Sequence, residues 1–62
     1  MNKIQGGLLD MDQASAYIGI KKSTLYQLVM RKQIKCYKIG KLNKFKQQDI
    51  DLWISLQAQD PI

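Results

Sequence analysis

Almost every side chain in this sequence that could do chemistry is an amine. Residues 35–46 read KCYKIGKLNKFK, which places five lysines within twelve residues and no acid among them. A lysine ammonium is a compact charge with three donors and no acceptor, so its fitting partner is an anionic oxygen. Tyr37, Ile39, Leu42 and Phe45 separate the lysines, around a single Gly40. That interleaving describes folded structure carrying charge rather than a charged tail. The same sign extends upstream through Lys21, Lys22, Arg31 and Lys32. From residue 21 to residue 46 there are nine bases and no acid. The rest of the chain holds one base, Lys3, and all five Asp, so +9 in the middle and −4 outside give the net +5. Charge segregated in this way within a small domain points to a polyanionic partner.

Other chemistries have little to work with. There is no His and no Glu, and Cys36 is the one cysteine. A lone cysteine closes no internal disulfide, and without His it has no partner for a zinc site. Cys36 reads as a small, half-buried strand residue in a reducing compartment. Gly6-Gly7 is an isolated pair and not a phosphate-cradling loop. No catalytic residues, metal or cofactor are expected, and no small-molecule substrate. The longest unbroken apolar run is Leu28-Val29-Met30, far short of a membrane span or a signal-peptide core. The expectation is a soluble, cytoplasmic protein with no membrane partner.

These bases need a scaffold, and 62 residues provide one domain at most. A chain of that size buries only about 60% of the surface its unfolded form exposes, so the core must be thin. Asp10 is a good N-cap, and Gln13 three residues later completes a capping box. Leu9 before the cap and Ala14 at the fourth helical position can form a hydrophobic staple. Met11, Ala14 and Ile18 share one face of the helix that follows, and Gly19 ends it in a left-handed position. A second helix comes almost at once, with Leu25, Leu28 and Val29 as its buried stripe. Ser23 and Thr24 are its natural caps by type, although it can begin earlier, at Lys21 or Lys22. Small Ser15, Gly19 in the turn, and apolar Ala14, Ile18, Ile20, Leu25 and Leu28 have the spacing of a helix-turn-helix. The outer face of the second helix then carries Lys22, Ser23, Tyr26, Gln27 and Met30, a composition suited to a major groove.

The lysine-rich stretch itself predicts a β-hairpin. Strand residues lie within 34–39 and 44–46, and Gly40 to Asn43 has turn composition. On this pattern Tyr37, Ile39 and Phe45 face the core, Lys38, Lys44 and Lys46 face out, and Lys41 and Asn43 sit at the tip. A basic hairpin beside a helix-turn-helix is a wing whose lysines reach phosphates. Edge lysines that block aggregation are the plainer alternative, but they explain two or three lysines and not an acid-free span of nine bases. A last helix runs from about Gln47 to Gln59, with Asp49 and Asp51 near its start, where the dipole favours acids. Ile50, Trp53 and Ile54 form its buried stripe, with Trp53 substantially buried. Leu52 and Leu56 either complete the core or leave an apolar strip for a partner. The expected organisation is a flexible arm over residues 1–7, a domain over 8–58 and a tail over 59–62.

Taken together, LLDMDQASAYIGIKKSTLYQLV, YKIGK and KFKQQDIDLWI resemble the small winged-helix DNA-binding domains of phage and transposon excisionases, within the mercury-resistance-regulator type. The resemblance runs from Leu8 to about Leu56. Its carriers are Tyr17-Ile18-Gly19-Ile20, Ser23-Thr24-Leu25-Tyr26, Ile39-Gly40, Lys44-Phe45-Lys46, and the run Asp49 to Ile54. Lys21 stands where that family often has Ser. Lys32 and Lys35 stand near the helix exit, where Gly and Pro are common, and Asn43 where an aromatic is common. The resemblance implies an α+β fold, a winged helix-turn-helix of three helices with a two-stranded hairpin wing. It also implies a non-catalytic protein that binds double-stranded DNA through the second helix and the wing. Some members bend DNA and assist an integrase or recombinase; others regulate transcription of a mobile element. Lys22, Ser23, Thr24, Tyr26 and Gln27 are the candidates for the major groove. Arg31, Lys38, Lys41, Lys44 and Lys46 are the candidates for phosphate. The competing class is a protein-interaction module that docks an acidic partner by its basic face, or a protein by its Leu52/Leu56 strip. RNA is disfavoured because exposed stacking aromatics are few.

Overall fold

In the computed structural model, residues 7–58 are described. The expected arm, apart from Gly7, and the expected tail from residue 59 onward lie outside them. The order of elements is β1 (Leu8–Leu9), α1 (Met11–Ile18), α2 (Lys22–Met30), β2 (Tyr37–Ile39), β3 (Leu42–Lys46) and α3 (Gln47–Gln57).

Local chemistry sets the start and end of α1. The Gln13 amide donates to Asp10 Oδ1 at 2.8 Å, and the Asp10 amide donates to Gln13 Oε1 at 3.0 Å. Two orphan donors of the first turn are thereby satisfied reciprocally. Gly19 ends the helix at φ 91°, a conformation that costs a residue with a Cβ but not glycine. The Gly19 and Ile20 amides both donate to the Ser15 carbonyl, at 2.8 and 3.0 Å. α2 begins at Lys22, the earlier of the two starts the sequence left open. Its N-cap is Lys21, which provides no side-chain hydrogen bond.

The exit of α2 is unusual. The Gln33 amide reaches back to the Leu28 carbonyl and the Lys32 amide to the Val29 carbonyl, closing the helix in a Schellman-like turn. Such a turn needs a left-handed residue, and here it is Lys32, at φ 57°. A left-handed helical conformation costs an L-residue about 1–2 kcal/mol, which glycine avoids.

The sheet has three strands in the order β1-β3-β2, all antiparallel. Leu8 and Leu9, just ahead of the α1 cap, pair with Lys46 and Phe45 and cover one edge of the hairpin. The wing is thus a two-stranded hairpin with a short third strand added.

The hairpin corrects the faces expected for Tyr37, Lys38 and Ile39 and the place expected for Asn43. Ile39 pairs with Leu42, so the turn is the two residues Gly40-Lys41, with Gly40 at φ 62°; Asn43 is a strand residue opposite Lys38. A positive φ at the first central position only is the type II′ pattern. Phe45 is fully buried and sets the parity of β3. Asn43 therefore shares its inner face, and Leu42, Lys44 and Lys46 lie on the outer one. Residues directly opposite in a ladder share a face. Tyr37 and Ile39, opposite Lys44 and Leu42, are thus outward, and Lys38 is inward. Ile39 is 53% exposed and does not face the core.

Leu9, Met11, Ala14, Leu25, Ile34, Phe45 and Ile50 make up the buried core, with Ile18, Ile20, Leu28, Val29, Cys36 and Trp53 packed around it. Buried Ser15 fits the α1–α2 crossing because it is small, and its hydroxyl donates to the Asp12 carbonyl. α3 follows β3 directly and inserts Ile50. Trp53 is half-buried, and Ile54, expected in the stripe, is 40% exposed. With so thin a core, one turn of α3 reaches it fully and the next lies at its rim. Leu52 and Leu56 are 61% and 72% exposed, which settles them as surface residues.

Candidate nucleic-acid interface

α2 positions the first set of candidates. Leu25 is fully buried between the helices, and that anchor turns Lys22, Ser23, Tyr26, Gln27 and Met30 outward; Thr24 is exposed as well. No acid occurs on α2. Arg31, the C-cap residue, is exposed at the far end.

The wing tip comes alongside this face. Tyr26 from α2, Lys41, Leu42 and Asn43 from the wing, and Asp10 to Asp12 from α1 line one shallow groove of about 210 Å³. Lys41 stands at the tip of the hairpin, exposed. Lys38, on the inner face, lines a second and larger groove with Val29 and Asn43. Asn43 borders both grooves. The Asn43 Oδ1 is buried and without a hydrogen-bond partner among the described residues.

Lys44 and Lys46 are placed differently. Both project from the outer face of β3, away from α2. Lys46 Nζ lies 5.2 Å from the centroid of the Tyr37 ring, and Lys35 Nζ lies 5.6 Å from it, within cation–π range. The Tyr37 hydroxyl donates to Asp49 Oδ2 at 2.9 Å. This outer cluster ties the hairpin to α3. The ten candidates therefore divide into an α2-and-tip set and an outer-face pair.

Sequence reasoning missed one acid. Residues 21–46 are free of Asp, yet the fold brings Asp12 of α1 to the outer face of α2. Asp12 Oδ1 lies 2.8 Å from Lys22 Nζ, and both side chains remain well exposed. The hydrogen bond to Asp12 raises the Lys22 ammonium above the ordinary lysine range, so it is charged at neutral pH. The available signal was positional: Asp12 is in the first turn of α1, and a helix-turn-helix places that turn beside the start of α2. Asp10, the other acid at this groove, is engaged in its capping box. The remaining described acids bind tyrosines. Asp49 takes Tyr37, and Asp51 accepts from Tyr17, raising that phenol above its usual range.

Cys36 is half-buried, and desolvation pushes its thiol upward. No group of His, Cys, Asp or Glu arranged for a metal occurs among the described residues, and no described helix is long and apolar enough to cross a membrane.

A family model described as a helix-turn-helix domain matches residues 8–57, from β1 to the last residue of α3. No curated protein matches the chain.

Proposed function

The chain belongs to this helix-turn-helix domain family and is a DNA-binding helix-turn-helix protein; on that premise we propose that it binds duplex DNA with α2 in the major groove and the wing on the adjacent backbone. One observation carries the proposal: the exposed face of α2, which contributes no acid of its own, and the wing tip border the same groove. α2 has nine residues, and a helix of that length is about 13 Å long, suited to a major groove about 12 Å wide. Tyr26 and Gln27 are the base readers, with Lys22, Ser23 and Thr24 at the helix entrance. Gln27 has the amide geometry to bond adenine. Arg31, Lys38 and Lys41 hold phosphates, fixing orientation without reading sequence. Lys44 and Lys46 add positive field on the outer face, and make contact only with DNA that curves round the wing.

The biological role we propose is that of an excisionase-like accessory factor, which places or bends DNA for a recombinase at a phage or transposon. Leu52 and Leu56 leave α3 with exposed apolar residues in a shallow groove shared with Gln33 and Lys35, and that strip suits a protein partner such as an integrase. Regulation of transcription at a mobile element is the alternative that uses the same DNA surface.

A salt titration of duplex binding by fluorescence anisotropy tests the DNA surface. Each phosphate neutralised contributes about −0.9 to the slope of log affinity against log salt. Lys41→Ala should make the slope shallower by about 0.9 and weaken specific and random duplex alike. Lys44→Ala should change it less. An unchanged slope in a folded Lys41→Ala variant would remove the wing tip from the interface. An excision assay with the cognate integrase separates recombination from transcription. Loss of excision without this protein supports the first role; normal excision excludes it.

A further inference from the structure

We infer that Lys32 is a phosphate-contacting residue, and that with Lys38 it walls a second DNA-backbone site beyond the C-terminal end of α2. This rests on the duplex-binding reading and adds to it a residue and a surface outside the α2 face and wing tip. Two independent observations carry it. First, Lys32 occupies the left-handed position that closes α2, at φ 57°, and is the one non-glycine residue with positive φ among the described residues. Glycine fits that position without strain and asparagine with little. A strained residue is kept where its side chain is needed, and the direction of inference runs from the observed conformation to the role.

Second, Lys32 opens onto a groove of about 700 Å³ between the exit of α2 and β2, lined also by Val29, Ile34, Lys38 and Asn43, with no acid in its walls. Lys32 stands on the helix side of this groove and Lys38 on the strand side. This groove shares Asn43 with the groove at Tyr26 and Lys41. A duplex strand that passes the wing tip therefore has a basic channel ahead of it. Helix termination alone does not account for a lysine here, because the turn is closed by backbone hydrogen bonds from Lys32 and Gln33 that glycine would make equally well.

Lys35 supplies the control. It lines the same groove, but its ammonium lies over the Tyr37 ring. The experiment is a salt titration on a labelled random-sequence duplex for the parent, Lys32→Gly, Lys32→Asn, Lys32→Arg and Lys35→Ala, with thermal melting of each. Lys32→Gly should melt higher than the parent while its slope becomes shallower by about 0.9. Lys32→Asn should lose the same slope, and Lys32→Arg should retain it. Lys35→Ala should leave the slope close to the parent value. Unchanged slope and affinity in the glycine and asparagine variants would overturn the inference and leave Lys32 as a helix terminator. An equal loss in Lys35→Ala would also overturn it, by reducing the effect to net charge. Either failure leaves duplex binding by the parent intact; absence of duplex binding by the parent would instead overturn the reading on which the inference rests.

Discussion

Lys22 illustrates how much a single side chain can conceal in a one-dimensional charge map. In the sequence it is the second base of an acid-free run, at the mouth of α2. In the fold its ammonium is 2.8 Å from Asp12. An exposed ion pair contributes little to stability, so its consequence lies in binding, where duplex phosphate competes with Asp12 for the same ammonium. Asp12→Asn removes the competitor and an acid that faces the DNA. Affinity for random duplex should rise, and the salt slope should steepen by up to about 0.9, as Lys22 becomes free to neutralise a phosphate. Anisotropy titrations of parent and variant measure this directly. Weaker binding by Asp12→Asn would mean that the carboxylate aims Lys22 at a base edge. Other residue-scale features were legible because their causes are local. Asp10 with Gln13 and the left-handed Gly19 each follow from a rule spanning four residues or fewer. The Asp12–Lys22 pair was not legible, because it depends on how two helices cross.

At the scale of elements, period and parity decide what can be read. Helical periodicity located α1, α2 and α3 correctly, since each has an apolar stripe anchored on a buried residue. The hairpin was found for the same reason, but its faces were not. Composition suggested a turn from Gly40 to Asn43, and the actual turn ends at Lys41. That two-residue shift leaves the faces unchanged, since side chains alternate with period two; the faces follow from cross-strand pairing, because directly opposed residues share a side. Ile39 consequently lies outside with Leu42, and Lys38 inside with Asn43. The third strand escaped notice because Leu8–Leu9 is too short to show alternation. Core burial also ranks the elements. Phe45 is fully buried where β3, α1 and α3 meet, whereas Trp53 is partly buried and packs against the core from its rim. Phe45→Ala should cost about 3–5 kcal/mol, enough to unfold a domain with so thin a core. Trp53→Ala should remain folded with a lowered melting temperature. Circular dichroism melts of the two variants decide the ranking. A cooperative melt for Phe45→Ala near that of the parent would contradict it.

At the scale of the whole molecule, the fold converts a sequence block of +9 into a surface with a direction. Among the described residues Asp10 is engaged in its cap and Asp49 and Asp51 by tyrosines, which leaves Asp12, paired with Lys22, as the one acid that competes with phosphate. What remains is a basic face formed by α2, the wing tip and the groove at the exit of α2, with Leu52 and Leu56 of α3 bordering that groove's Gln33 and Lys35. Charge segregation and the helix-turn-helix spacing were enough to read the class of partner from the sequence. The division of the lysines between two faces of the hairpin was not, because it depends on strand register. Amide chemical shifts of the ¹⁵N-labelled protein, followed while a duplex carrying its site is added, map that face residue by residue. The largest changes should fall on Lys22 to Gln27 of α2 and on Gly40 and Lys41 at the wing tip, with α3 nearly silent. Changes confined to the exposed residues from Leu52 to Leu56, or none at saturating duplex, would contradict recognition of DNA by α2 and the wing.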